Sequence, residues 1–125
     1  MVHPAVRGVR GATTVTADEP PLIRAAVCEL IDVLLDENNL TSMDVVSAVF
    51  TATPDLVSEF PAYAARIYGW TDVPVICAQE LPVTGALPRC IRVLLHVETR
   101  LGRRLRPGPR GRPRKAKPAK KQENR

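Results

Sequence analysis

Lysine is absent from the first 99 residues of this chain. The six basic residues of that part are all arginines, and they stand against twelve acidic residues, which gives it a formal charge of −6. Residues 100–125 hold twelve lysines and arginines and a single acid, Glu123, which gives them a formal charge of +11. The overall charge of +5 therefore combines two parts of opposite sign, and each part needs its own interpretation.

Cysteine, histidine and long apolar runs are also scarce. Cys28, Cys77 and Cys90 form no CxxC pair, and His3 and His96 are isolated, so neither a zinc pattern nor a disulfide framework is indicated. No apolar run approaches the ~20 residues that cross a bilayer. The N-terminus lacks the basic and hydrophobic segments of a secretory signal. These absences, with the length, predict a single-domain cytoplasmic protein without membrane contact.

Motifs for phosphate, covalent and proton-transfer chemistry are missing as well. Neither GxGxxG nor the GxxxxGKS/T phosphate loop occurs. No serine or cysteine lies in a nucleophile motif, and Glu80 has no His or Asp neighbour at the spacing of an acid/base pair. Covalent and acid/base catalysis are therefore weakly supported by the sequence.

The first half of the chain predicts a strand, a long helix and a second strand. Residues 5–15 contain the β-branched stretches of an opening strand. Asp18-Glu19-Pro20-Pro21 supplies an acidic cap and prolines suited to a first helical turn. Apolar residues then recur with a 3.6-residue period until Asn38-Asn39. Residues 45–52 form an apolar run typical of a strand that is buried on both faces or nearly so.

The second half predicts a shorter helix and two more strands. Phe60-Pro61-Ala62 opens the helix and Gly69 ends it, while residues 73–77 and 90–99 are the strands. The order β-α-β-α-β-β predicts an α+β fold, with one mixed β-sheet and helices on one face. Because the other face is left uncovered, we also expect an oligomer.

Residues 1–99 form the predicted domain, and residues 100–125 are a separate basic tail. The tail has four prolines, three glycines and no β-branched residue, and its sizeable apolar residues are Leu101 and Leu105. Such a segment buries too little surface to offset the entropy of ordering, so we predict that it is disordered.

Two arginines occupy unusually apolar strands. Arg10 lies between Val9 and Gly11, and Arg92 lies within CIRVLL. A guanidinium in such surroundings is costly unless an anion satisfies its donors. From the residues alone two interpretations stay open: a structural salt bridge with Glu80 or Asp55, or the binding of an anionic ligand.

Several motifs occur in order over residues 5–99: RGATTV at 10–15, FTATPDL at 50–56, FPA at 60–62, VPVICAQE at 73–80 and CIRV at 90–93. Together they resemble the trimeric α/β-type chorismate mutases. The resemblance implies a homotrimer that forms a pseudo-α/β barrel, with active sites between adjacent subunits. It also implies the conversion of chorismate to prephenate in the shikimate pathway of aromatic amino-acid biosynthesis, without cofactor or metal.

The resemblance also assigns roles by position. Arg10 is expected to bind one substrate carboxylate, Arg92 to contact the other carboxylate and the ether oxygen, and Glu80 to accept the substrate hydroxyl. These three are the expected catalytic residues. The rest of the expected pocket comprises Ile76, Cys77, Ala78 and Gln79, with Phe60, Ala62 and Arg66 from the neighbouring chain. Family members often have a basic residue where this chain has Tyr63.

The sequence departs from the family after residue 99. The family continues with a short helix and a last strand whose tyrosine helps to close the site, and this chain has no tyrosine after Tyr68. The basic tail has three possible explanations: divergence with loose electrostatic closure of the site, non-specific attraction to a phosphate-rich partner such as nucleic acid, or a shift of the reading frame. A catalytically impaired homologue is therefore an alternative.

Two further functions are weighed against the mutase. A small trimeric imine or enamine deaminase shares a comparable outline and an arginine for carboxylate binding, but RGATTV and the spacing from CAQE to CIRV favour the mutase. A nucleic-acid-binding module is disfavoured, because residues 1–99 are acidic and their five aromatic residues offer no stacking platform. Nucleic acid is expected to bind only non-specifically, through the tail.

Overall fold

A computed structural model describes residues 5–99 of the protein. The elements are β1 (Ala5–Thr14), α1 (Pro20–Glu37), a 3-10 turn (Ser42–Asp44), β2 (Val45–Ala52), α2 (Pro61–Tyr68), β3 (Val75–Gln79) and β4 (Cys90–Thr99). This is the predicted order of strands and helices. Within residues 5–99, neither helix is long and apolar enough to cross a membrane. The disorder predicted for residues 100–125 lies outside the described residues.

The four strands form one mixed sheet in the order β1-β4-β2-β3. β4 is antiparallel to both of its neighbours, and Ala5 at the start of β1 lies opposite Thr99 at the end of β4. β2 and β3 are parallel, because α2 connects them as a crossover. The α+β fold with a mixed sheet is thus confirmed.

The strand register divides the side chains between two faces. On one face, Val9, Phe50 and Val93 belong to a single buried cluster that includes the apolar stripe of α1 and residues of α2. Both helices therefore lie over this face, as predicted, and we call it the helix-covered face. The opposite face, which we call the open face, has no helix over it among residues 5–99. It includes Arg10, Ala12, Arg92 and Leu94, which alternate along their strands with the residues that face the helices.

β2 is less buried than the prediction of a strand whose two faces are buried or nearly so. Its burial alternates along the strand, and Val46 is 46% exposed. The run is apolar because one set of its side chains packs under the helices, while the other set lies on the open face and is only partly covered within one protomer. β3 also runs two residues later than predicted. Its pairing with β2 begins at Val75, since Pro74 has no N–H to donate, although the Pro74 carbonyl accepts a bond from the backbone N–H of Ala48 at 2.9 Å.

The acidic cap predicted for α1 is wrong. Glu19 occupies the N-cap position, but its side chain makes no capping hydrogen bond. The Asp18 carboxylate accepts hydrogen bonds from the backbone N–H groups of Val57 and Ser58, at 3.1–3.2 Å and 3.1 Å. Pro20 still begins the helix, since the missing N–H costs nothing in a first turn. Asp18 thus anchors the segment that leads into α2.

Candidate active site

Arg10 and Arg92 lie side by side on the open face. Arg10 is paired with Leu94 across β1 and β4, and Arg92 is two residues before Leu94, so the two arginines occupy diagonal positions. Such neighbours are about 7–8 Å apart. The side chains border a cleft of about 630 Å³ whose apolar lining includes Ala12, Val49 and Leu94. An anion with two negative groups and an apolar body would match this combination.

Glu80 forms an ion pair with Arg92. The Nε of Arg92 lies 3.0 Å from Oε2 and 3.2 Å from Oε1 of Glu80. The hydroxyl of Thr51 donates to the same Oε2 at 2.6 Å. The carboxylate is mostly buried, with 18% of the side chain exposed, whereas the Arg92 side chain is 42% exposed. Arg92 is therefore held at Nε and still reaches the cleft.

The salt bridge considered for Arg92 thus exists with Glu80 and not with Asp55. Asp55 accepts hydrogen bonds from the hydroxyl of Thr53 at 2.5 Å and from the backbone N–H of Arg89 at 2.9 Å. The two interpretations of Arg92 are compatible, because an ion pair made through Nε leaves the outer edge of the guanidinium for a ligand.

The remaining predicted residues divide between the two faces. Ile76 of β3 pairs with Val49 of the open face, and Ala78 pairs with Thr51. Cys77 and Gln79 alternate with them and lie toward the helix-covered face. Cys77, Gln79 and also Ala78 border a second cleft of about 400 Å³ together with Phe60.

Phe60 is the N-cap residue of α2, and Ala62 and Arg66 lie within this helix, on the helix-covered face. The backbone N–H of Ala62 donates to Sγ of Cys77 at 3.1 Å. Phe60 is 72% exposed. Arg66 donates to the carbonyls of Trp70 and Thr71, at 3.1 Å and 2.9 Å, and thereby closes the end of α2. One protomer therefore does not bring these residues together with Arg10 and Arg92.

Neither Cys77, which lines the second cleft, nor the fully buried Cys90 provides a thiolate. Burial raises the pKa of the Cys77 thiol, and the hydrogen bond from Ala62 offsets this only in part. Burial likewise raises the pKa of Cys90. Both thiols are neutral at pH 7, so the groups gathered beside the first cleft are the guanidinium groups of Arg10 and Arg92, the Glu80 carboxylate and the Thr51 hydroxyl. Within residues 5–99, no three His, Cys, Asp or Glu side chains come together as a metal site requires. The arrangement suits binding and charge stabilisation.

Comparison with known proteins agrees with the geometry. The profile of the family "Chorismate mutase type I" matches residues 6–106. The chorismate mutase AroH of Bacillus subtilis is 46% identical over 95 residues, covering 75% of this chain and 75% of its own. That of Thermus thermophilus is 51% identical over 90 residues, covering 71% and 74%. This chain belongs to the chorismate mutase type I family.

A solved structure agrees with this membership. The chorismate mutase from Clostridium thermocellum superimposes with a TM-score of 0.77 at 37% identity, covering 82% of this chain and 92% of its own. The resemblance noted in the motifs is thus confirmed, and the deaminase alternative loses its support. The match to the chorismate mutase profile reaches residue 106, seven residues beyond the domain boundary predicted from composition.

Two side chains near the chorismate mutase motifs were not expected from the sequence. Thr51 lies in the predicted second strand, but nothing in its neighbours along the chain indicates that it bonds Glu80; only the strand register places them together. Arg24 of α1 is the other. Its guanidinium lies 5.5 Å from the centre of the Tyr63 ring and pairs with Glu59. The Arg24 guanidinium therefore lies beside Tyr63, the position where the family often has a basic residue.

Proposed function

We propose that this protein converts chorismate to prephenate at the open-face cleft. The observation that carries the proposal is the diagonal pair Arg10 and Arg92 on one face, with Glu80 bonded to Arg92. Chorismate is a dianion with a hydroxyl group and an ether linkage. Two guanidinium groups match its charge, and a carboxylate can accept a hydrogen bond from its hydroxyl group.

Arg92 is the proposed source of transition-state stabilisation. In the [3,3] rearrangement the ether C–O bond breaks ahead of C–C bond formation, so negative charge develops on the oxygen. A guanidinium held by Glu80 is complementary to that charge without reorganising at the moment of reaction. Arg10 would hold a carboxylate, and the apolar walls would keep the flexible substrate in its compact conformer. This chemistry needs neither a nucleophile nor a general base.

The complete site is proposed to form between two subunits of a homotrimer in the cytoplasm. The open-face group of one subunit would meet the group around Phe60, Ala62 and Arg66 of its neighbour. Cys77 and Gln79 lie with the second group in the protomer, so we assign them to the neighbour's side of the cleft. Exposed apolar side chains on the open face, such as Ile76 at 63% exposure, support burial against another subunit.

The test is a chorismate turnover assay on the purified protein and on Arg92→Ala. We expect the loss of the Arg92 charge to lower turnover at least ~100-fold, by analogy with the loss of an oxyanion-hole donor. Arg7→Ala, which removes another exposed arginine of β1, should stay within about twofold of the wild type. Native mass should equal three chains of 13.7 kDa. Equal turnover of the wild type and Arg92→Ala would refute the role of Arg92.

A further inference from the structure

We infer that Thr51 is a positioning residue, which fixes the Glu80 carboxylate and, through it, the Arg92 guanidinium. The inference rests on the proposed function, since it names a residue that supports the same site. Thr51 does not have to touch the substrate for this role. Its contribution comes from the hydrogen bond to Glu80.

The sheet register gives Thr51 its place. Thr51 of β2 is opposite Arg92 on one side and opposite Ala78 of β3 on the other. Glu80 follows β3 directly, and its backbone N–H donates to the Ala52 carbonyl at 2.9 Å. The main chain of Glu80 is thereby fixed beside β2. Its side chain returns over the sheet to the pair of residues that face each other, Thr51 and Arg92.

The hydrogen bonds distinguish the two oxygens of the carboxylate. Oε2 accepts the Thr51 hydroxyl at 2.6 Å, and the Nε–H of Arg92 lies against both oxygens. An ionised carboxylate has about four acceptor sites. Oε1 accepts the hydrogen bond from the Nε–H of Arg92, so each oxygen has one side-chain donor and keeps a site for a further donor such as a substrate hydroxyl. Thr51 thus holds Oε2, and with it the orientation in which the carboxylate meets the Nε–H of Arg92.

Without Thr51, the carboxylate would keep a single side-chain partner and could rotate. The Arg92 side chain is 42% exposed, so its guanidinium can turn toward solvent once Glu80 moves. Small displacements of a charge that stabilises a transition state lower the rate, whereas binding of the ground state depends less on that charge. Loss of Thr51 should therefore lower kcat more than it raises KM.

The experiment compares Thr51→Val with Thr51→Ser. Valine keeps the size, the branching and the strand propensity and removes the hydroxyl. We expect Thr51→Val to lower kcat about tenfold, equivalent to about 1.4 kcal/mol, with KM changed less than about threefold. Thr51→Ser should recover kcat to within about twofold of the wild type. Ser47→Ala is the matched control: it removes a hydroxyl from the same strand and face, where the partner is His96 at 3.0 Å, and should leave kcat within about twofold.

A double-mutant cycle with Glu80→Ala separates positioning from a general structural effect. If Thr51 acts through Glu80, Thr51→Val should change kcat less than about twofold in the Glu80→Ala background. A tenfold loss in both backgrounds would overturn the inference, and so would a kcat for Thr51→Val within twofold of the wild type. If Thr51→Val does not fold, Thr51→Ala replaces it in the same cycle, with the same two outcomes deciding.

Failure of the inference and failure of the proposed function give different results. An inactive wild type, or an Arg92→Ala variant as active as the wild type, contradicts the proposed function. An active wild type and an impaired Arg92→Ala variant, together with an unimpaired Thr51→Val variant, contradict only the role of Thr51.

Discussion

The Asp55 side chain shows how single polar groups fix the start of a strand. Its carboxylate accepts the Thr53 hydroxyl and the backbone N–H of Arg89, whose φ of 47° lies in the left-handed region. Thr53 in turn accepts a hydrogen bond from the backbone N–H of Cys90, the first residue of β4, at 2.9 Å. This chain of contacts sets where β4 begins, and therefore where Arg92 lies.

We predict that stability depends on the ionisation of Asp55. The Thr53 hydroxyl, and after it the Arg89 N–H, lower the pKa of Asp55 below its ordinary value. A depressed pKa in the folded state means that the stabilisation is present above the unfolded pKa and is lost as the pH falls through the folded pKa. Because the Asp55 side chain is exposed and screened by solvent, Asp55→Asn should lower the free energy of unfolding by at most about 1 kcal/mol at pH 7. The difference in free energy of unfolding between Asp55→Asn and the wild type should be smaller at pH 3.

Urea unfolding of both proteins at pH 7, 4 and 3 measures this effect. The narrowing should occur below about pH 4, where carboxylates of unfolded chains are protonated. A gap that stays constant over this range would show that the Asp55 charge contributes nothing.

At the scale of elements, α1 packs closely on β1 at Gly11. A Cβ atom at this position would lie 3.0 Å from Cδ1 of Leu30 and 3.2 Å from both Cδ atoms of Leu34. Both leucines are at most 2% exposed, so they have little room to move. The absence of a side chain at Gly11 thus determines how near the helix comes to the sheet.

We predict that Gly11→Ala destabilises the protein by about 1–3 kcal/mol, because overpacking displaces buried side chains. Gly8→Ala is the matched control on the same strand. Its Cβ would lie at an ordinary distance, 3.5 Å from Cδ1 of Leu94, so the change should stay within about 0.5 kcal/mol. Thermal or urea unfolding of the two variants gives the comparison. Equal stabilities would contradict the close packing proposed at Gly11.

The elements were predictable to different extents. The 3.6-residue period of α1 extends over nearly five turns, so its type and bounds were clear from sequence. β3 was misplaced by two residues, because the apolar run begins before Pro74 and the hydrogen-bonded pairing begins after it. The partners across strands could not be predicted. They depend on sheet order and on an irregularity between Val45 and Ser47, which shifts the register that places Thr51 opposite Arg92.

For the molecule as a whole, the acidic domain and the basic tail have separate roles in our interpretation. The charged groups of the proposed site come from residues 10–92, and the tail contributes none of them. The motifs allowed the site residues to be named from the sequence by resemblance. Which site residues lie on each face of the sheet could be learned only from the structure. The alternation of side chains along β3 does not tell which set faces the helices until the neighbouring strands are known.

We predict that truncation after Thr99 leaves the trimer intact and changes turnover only modestly, and that it abolishes any non-specific binding to DNA. Truncation after Arg106, where the family match ends, is the matched control. Comparison of the two truncations separates the effect of residues 100–106 from the effect of the rest of the tail. Native mass, chorismate turnover and DNA binding would be measured for the full chain and both truncations. Loss of the trimer after truncation at Thr99 would show that the tail takes part in assembly.

The direction of β4 has a consequence for the two ends of the domain. Arg92 lies near the start of the strand and Thr99 at its end, seven residues or about 23 Å away. Mobile ions damp a charge over a Debye length of about 8 Å in physiological buffer. A cation at the exit from Thr99 is therefore electrically remote from Arg92. Because Ala5 is the neighbour of Thr99, a fluorophore attached directly to either of these two residues would lie at the same distant corner of the sheet.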